Sequence, residues 1–157
     1  KPRKMTMSRV TSKARAVALK YGFRSGLEKQ VAKQLESQQV PFDYEKHKVH
    51  YEVPSRGAKY TPDFILENGI VVETKGRFVT ADRQKHILIA AQHGELDIRF
   101  VFSNPHGRIS KQSKTTYAMW CDKHGIPYAK QYIPEAWLKE DPCPHRWNAI
   151  RKAGIKP

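Results

Sequence analysis

The chain is short of acid, nearly free of cysteine, and without long apolar runs. It has 157 residues, with 15 Asp and Glu against 29 Lys and Arg, a formal net charge of +14. Its two cysteines, Cys121 and Cys143, form neither a disulfide framework nor a zinc spacing, so a reducing compartment is expected. No stretch of 18 or more apolar residues occurs, which excludes a membrane-spanning helix. The basic N-terminus has no apolar segment of the kind a secretory signal needs, and an intracellular protein is expected. No internal repeat or low-complexity segment is present.

The shortage of acid is uneven. Residues 1–24 carry eight basic residues and no acid, and residues 139–157 carry five basic and two acidic ones. Residues 25–138 hold 16 basic and 13 acidic residues. A nearly balanced domain between basic arms suits a polyanion, nucleic acid before anionic membrane. The length fits one domain with a core of its own.

Periodicity organises the middle. Leu27, Val31 and Leu35 recur at helical spacing within 23–39, with Ser25 as N-cap and Glu28 at the capping-box position. Residues 41–53 read as extended, 54–59 (PSRGAK) as a loop, and 63–75 as a β-hairpin. A helix is expected over 80–94, capped by Thr80 and stopped at Gly94. A buried strand follows at 97–103, a second helix at 113–125, an extended piece at 126–133 and a short helix at 134–140. The remaining tail reads as mostly irregular. This order implies a mixed central sheet covered by helices, in the α/β or α+β class.

The hairpin YTPDFILENGIVVETKG (60–76) carries unexpected polarity. Val71, Glu73 and Lys75 share one face of its second strand. Where Asp63 points depends on the turn. A two-residue Asn68-Gly69 turn sets Asp63 opposite Thr74, with Asp63 and Glu73 on opposite faces. A three-residue Glu67-Asn68-Gly69 loop with a left-handed glycine sets Asp63 opposite Glu73. Both loops are common, and sequence alone slightly favours the first. In the second register two carboxylates sit side by side, and a divalent cation such as Mg²⁺ relieves their repulsion. Such a site polarises a phosphate and activates a water, with Lys75 beside it to orient that water or stabilise developing charge. An ordinary salt bridge of Lys75 to Glu73 or Asp63 is the plainer alternative. Glu28 lies on the flank of the apolar helix stripe, in one row with Ala32 and Leu35, and is either a capping-box acid or a third carboxylate of the site.

Pro62-Asp63, nine residues, then Glu73-Thr74-Lys75 resembles the PD…(D/E)xK pattern of restriction-endonuclease-like nucleases. The segments FRSGLE, KQLES, YTPDF, NGI, VETKG, DIR, VFS and KHGI, in this order, resemble the phage endonuclease I family of Holliday-junction resolvases over about residues 23–140. The resemblance implies a restriction-endonuclease-like fold and a metal-dependent endodeoxyribonuclease that resolves four-way and other branched DNA, leaving 5′-phosphates. Its catalytic set falls on Glu28, Asp63, Glu73 and Lys75. Asp63, Glu73 and the main-chain carbonyl of Thr74 would hold Mg²⁺ or Mn²⁺, and Glu28 would complete a second metal's surroundings.

It further implies an intertwined, domain-swapped homodimer in a phage-infected host. Residues 1–22 would be a basic arm, 23–52 the exchanged segment, 53–57 the bridge, 58–140 the main part and 141–157 a basic tail. Glu28 would then join Asp63, Glu73 and Lys75 of the partner chain. Arg24, Lys59, Arg77, Arg83 and Lys85 flank the motif as candidate phosphate contacts. His86 and His93 read as surface or packing residues, and Trp120 and Trp137 as core or interface. No membrane and no small-molecule substrate are expected. A nuclease of restriction-type or mismatch-nicking specificity, and a non-catalytic DNA-binding protein, are the competing readings.

Overall fold

The structure is a computed structural model that describes residues 26–53 and 56–154. The basic arm 1–22, Arg24, the Ser25 cap and part of the 53–57 bridge lie outside the described residues.

Seven strands and five helices follow one another along the described chain. Helix α1 (Gly26–Ser37) leads into β1 (Phe42–Tyr44), β2 (Val49–Val53), β3 (Arg56–Tyr60), β4 (Phe64–Leu66) and β5 (Val71–Lys75). Then come α2 (Thr80–Gln92), β6 (Ile98–Phe102), α3 (Tyr117–Lys123), β7 (Tyr128–Lys130), α4 (Glu135–Leu138) and α5 (Pro144–Lys152). Five strands form a mixed sheet in the order β1-β4-β5-β6-β7. β4 runs antiparallel to both its neighbours, β1 and β5, while β5, β6 and β7 are parallel. Strands β2 and β3 form a separate antiparallel pair. The expected mixed sheet flanked by helices is therefore present.

Alternation along β4 and β5 divides the core. Phe64, Leu66, Ile70 and Val72 pack with Leu27, Val31 and Leu35 of α1 and with Trp137. Ile65 and Val71 face the opposite way, among Val49 and Tyr60 of the β2–β3 pair, Ile89 of α2 and Ile150 of α5. A third, aromatic cluster gathers Phe78, Phe100, Phe102 and Trp120. Trp120 and Trp137 are thus both buried, as core residues.

Four local expectations need correction. Residues 56–59, read as part of the 54–59 loop, belong to β3, because pairing with β2 outweighs a turn-like composition. The tail, read as irregular, contains α5. Its Pro144 stands at the start of the helix, where a missing N–H costs nothing. Thr80 does not cap α2: Val79 holds the N-cap position, and no side-chain cap bond forms there. The second helix begins only at Tyr117, where the Thr116 hydroxyl accepts a hydrogen bond from the Met119 N–H.

The β4–β5 register resolves the open question of the hairpin. Phe64 pairs with Val72 and Ile65 with Val71. The Leu66 N–H donates to the Ile70 carbonyl and the Gly69 N–H to the Leu66 carbonyl, both at 2.9 Å. The loop is therefore Glu67-Asn68-Gly69, with Gly69 at φ +91°, a region open to glycine and strained for other residues. Distant residues hold this loop. The Asn68 carboxamide donates to the carbonyls of Trp137 (2.9 Å) and Glu140 (3.0 Å). A Cβ on Gly69 would stand 2.7 Å from Cβ of Arg146 and 3.2 Å from the Trp147 ring.

Gly69→Ala is expected to destabilise the chain by about 1–3 kcal/mol through backbone strain and this clash. Urea unfolding measures it; an unchanged midpoint would mean that the loop is not constrained as described.

Candidate active site

The register places Asp63 directly across from Glu73, and hydrogen bonds trace the consequence. The Asp63 N–H lies 3.3 Å from Oε1 of Glu73, which also accepts from the Tyr60 hydroxyl at 2.6 Å. Oδ2 of Asp63 accepts from the Thr74 N–H (2.9 Å) and the Thr74 hydroxyl (2.8 Å). In an extended strand the N–H and C=O of one residue face the same edge. The Thr74 carbonyl therefore points toward Asp63, past the end of the β4 pairing. The Lys75 carbonyl faces the other way and accepts from Ser103 N–H at 3.2 Å.

Helix α1 and strand β1 add two more acids. Glu28 is buried on α1, and its Oε1 lies 3.2 Å from the Tyr44 hydroxyl at the end of β1. Glu45 follows with φ +47°, an uncommon conformation for a side chain of this kind. Its N–H donates to the Asp63 carbonyl at 3.1 Å. Glu28, Glu45 and Asp63 each bring a carboxylate oxygen within 4.8 Å of the other two. Sequence reasoning singled out Glu28 and Asp63 but missed Glu45. Nothing in FDYEKHK marks that residue, because only the turn after β1 aims it inward.

These acids line a cavity of about 480 Å³, together with Glu73 of β5, Asp82 of α2 and Lys48, Lys59, Lys75 and Lys85. Nζ of Lys75 sits 3.5 Å from Glu73 and 3.6 Å from Asp82. Asp82, in the first turn of α2, is thus a partner of Lys75.

Burial decides the protonation of this cluster. It pushes the Asp63 carboxyl up to about 9, helped by the neighbouring charges of Glu73 and Glu28 and opposed by the two Thr74 hydrogen bonds. Burial raises Glu73 as well, against the pull of Lys75 and Tyr60. For Lys75 burial acts downward, but Glu73, Asp82 and Asp63 outweigh it and raise its pKa. Lys75 is therefore a cation at neutral pH. Were Glu28, Glu45 and Asp63 all ionised, each pair at about 5 Å would cost roughly 3 kcal/mol at an effective dielectric of ~20. An all-oxygen donor set of this kind suits a hard divalent ion.

The candidate phosphate contacts scatter. Lys59 is exposed at the cavity rim. Lys85 lines the cavity with its Nζ 4.9 Å from the centre of the Tyr60 ring. Arg77 is exposed just beyond Gly76. Arg83 is buried, and its guanidinium donates to the Phe78 carbonyl (2.5 Å) and the Thr80 hydroxyl (2.9 Å), so it braces the start of α2. His86 is a buried packing residue against Tyr60 and Phe100, and burial lowers it to about 3. His93 closes α2, its Nε2 on the His50 carbonyl.

Known proteins match over most of this chain. The family model described as Phage endonuclease I covers residues 7–154. Endonuclease I of Escherichia phage T7 is 49% identical over 134 residues, 85% of this chain and 90% of that protein. Endodeoxyribonuclease 1 of Enterobacteria phage T3 is 53% identical over 118 residues, 75% of this chain and 78% of that protein.

The shifted carboxylate has a consequence for stability without metal. Asp63 holds a proton up to about pH 9 in the folded chain but only to about 3.8 when unfolded. Between those values the folded state binds the extra proton, so stability falls as pH rises. In a chelating buffer the urea midpoint should decline from pH 5 to pH 8, and Asp63→Asn should flatten that decline. Equal slopes in the two proteins would contradict the assignment.

Proposed function

The chain belongs to the phage endonuclease I family, and from that premise we propose that it is an endodeoxyribonuclease that resolves four-way and other branched DNA. The observation that carries the reading is the Asp63–Glu73 pair, with Thr74 and Lys75 on the same strand and Glu28 reaching in from α1. No helix among the described residues is long and apolar enough to cross a membrane. The proposed place of action is the cytoplasm of the infected host.

The donor set fits a divalent cation. Asp63, Glu73 and the Thr74 carbonyl would hold Mg²⁺, or Mn²⁺ in its place, and Glu28 would complete a second metal's surroundings, with Glu45 within reach of both Glu28 and Asp63. When bound, the metal polarises the phosphate and lowers the pKa of a water. The protein's own groups do the rest. Tyr60 and Thr74 fix the carboxylate rotamers, each hydrogen bond to an ionised acceptor being worth about 1.5–3 kcal/mol. Cationic Lys75, held between Glu73 and Asp82, orients the attacking water and meets charge growing on the phosphate. Lys59 and Lys85 at the rim guide the DNA backbone, and Arg77 and Arg24 remain candidates for the same task. Hydrolysis leaves a 5′-phosphate.

The restriction-endonuclease-like fold and the swapped dimer belong to the same proposal. Val53 pairs with Arg56, so two residues, Pro54 and Ser55, join β2 to β3. Opening that connection would carry α1, β1 and β2 of one chain onto the β3–α5 part of a second, with the same contacts made between chains. Two symmetric sites would then face the two strands of a junction, read by shape and phosphates. The residues between Val53 and Gly57 are the proposed bridge.

Asp63→Asn, Glu73→Gln and Lys75→Ala are each expected to keep four-way-junction affinity and cut about 10²–10³-fold more slowly, an effect of the size seen when an electrostatic stabiliser is removed. Gel-shift and cleavage assays on one labelled junction decide this; wild-type cutting by any of the three removes that residue from the site. Preference for linear duplex over junction would favour a restriction-type or nicking specificity.

Mixing two inactive chains tests the exchange. Glu28→Ala and Asp63→Ala chains refolded together should regain single-strand nicking, because a swapped heterodimer contains one intact composite site. An unswapped pair contains none and would stay inactive.

A further inference from the structure

A second cavity, this one basic, adjoins the carboxylate site, and of its residues only Arg77 has been given a role. It has a volume of about 360 Å³ and is lined by Arg77, Arg108, Ser110, Lys111 and Tyr117. Arg77, Arg108 and Lys111 are exposed, and no carboxylate among the described residues pairs with any of them. Residues 103–116 carry no acid at all.

Topology sets this cavity beside the first. Strands β5 and β6 are parallel, with Lys75 opposite Phe102. The segments that follow them, 76–79 and 103–116, therefore leave the same edge of the sheet. In sheets with parallel strands, ligands gather outside the carboxyl ends of those strands. The Ser103 N–H is bonded to the Lys75 carbonyl, which ties the start of the second loop to the lysine of the site. Gly76 lines the carboxylate cavity and Arg77 the basic one, so adjacent residues join the two.

The loop is braced rather than loose. The Ile109 N–H donates to the Thr115 carbonyl at 2.8 Å, the Tyr117 N–H to the Gly107 carbonyl at 2.9 Å, and the Ala118 N–H to the Pro105 carbonyl at 2.8 Å. Arg108 and Thr116 form a β-bridge. A backbone fixed in this way holds Arg108 and Lys111 in place without spending their side chains on internal ion pairs. Three cations over a shaped hollow, with hydroxyls from Ser110 and Tyr117, match a run of phosphate oxygens.

We propose that the β6–α3 loop and Arg77 form a phosphate-binding groove. It receives the backbone of the DNA strand next to the phosphate being cut, on the side of the site away from Lys48 and Lys59. The groove rests on DNA as substrate, not on preference for junctions.

The test is binding of the full chain to a four-way junction and to linear duplex of the same sequence, in chelator, over a salt series. Arg108→Ala/Lys111→Ala is compared with Lys33→Ala/Lys123→Ala, which removes two exposed lysines from α1 and α3, outside the basic arms and both cavities. The groove variant should lose about tenfold or more in affinity for both DNAs. Its log–log salt slope should shrink by about 0.9 for each contact removed. The control should bind as wild type does, and equal unfolding midpoints should show that all three chains are folded. Loss on both substrates upholds the groove even if the wild type has no junction preference. Wild-type affinity in the groove variant, or an equal loss in the control, overturns it.

Discussion

Everything at the proposed site depends on one pairing register. A single residue of slip between β4 and β5 would turn Asp63 to the opposite face of the sheet from Glu73. The three-residue loop prevents that slip, and the C-terminal part of the chain in turn holds the loop. Asn68 is bonded to carbonyls around α4, and Arg146 and Trp147 leave room at Gly69 for a hydrogen and little else. Arg146 is itself anchored to Asp97 (2.9 Å) and to Glu140, and Arg99 pairs with the same two acids. That network pulls Asp97 below its ordinary pKa against the opposing effect of burial. A tail that carries none of the proposed chemistry thereby supports the geometry on which the chemistry depends.

The cost of that geometry is electrostatic. Acids from α1, β1 and the β4–β5 hairpin converge where burial disfavours their charged forms. One lysine, Lys75, is shared between Glu73 and Asp82. In the proposed reading a hard cation relieves the repulsion among these acids, and the surrounding lysines suit the polyanion such a cation would act upon. Buried acids inside and exposed bases outside are two halves of one design, and the basic groove beyond Gly76 extends the outer half.

Much of this was legible in the sequence where local pattern decides. The Leu27–Val31–Leu35 stripe, the β5 and β6 strands and the shared face of Glu73 and Lys75 follow from periodicity, whereas Asp63 joined them only through the resemblance to a known family. The turn was not, because Asn68-Gly69 satisfies two loop types. The choice between them is made by contacts 69 and 72 residues away. Strand β3 was hidden by a turn-like composition that pairing with β2 overrides. Helix α5 was hidden by the prolines before it, although Pro144 carried the signal for its start. Glu45 could not be found from pattern at all, since its inward aim comes from one left-handed residue after β1.

The central claim is that the Asp63 carboxylate, once placed across from Glu73, anchors a divalent cation. Calorimetric titration of the metal-free chain with Mn²⁺ tests it directly, in wild type and in Asp63→Asn. The account predicts saturable binding by wild type and loss of that binding in the variant, with the fold retained. Equal affinity and stoichiometry in the two proteins would contradict it.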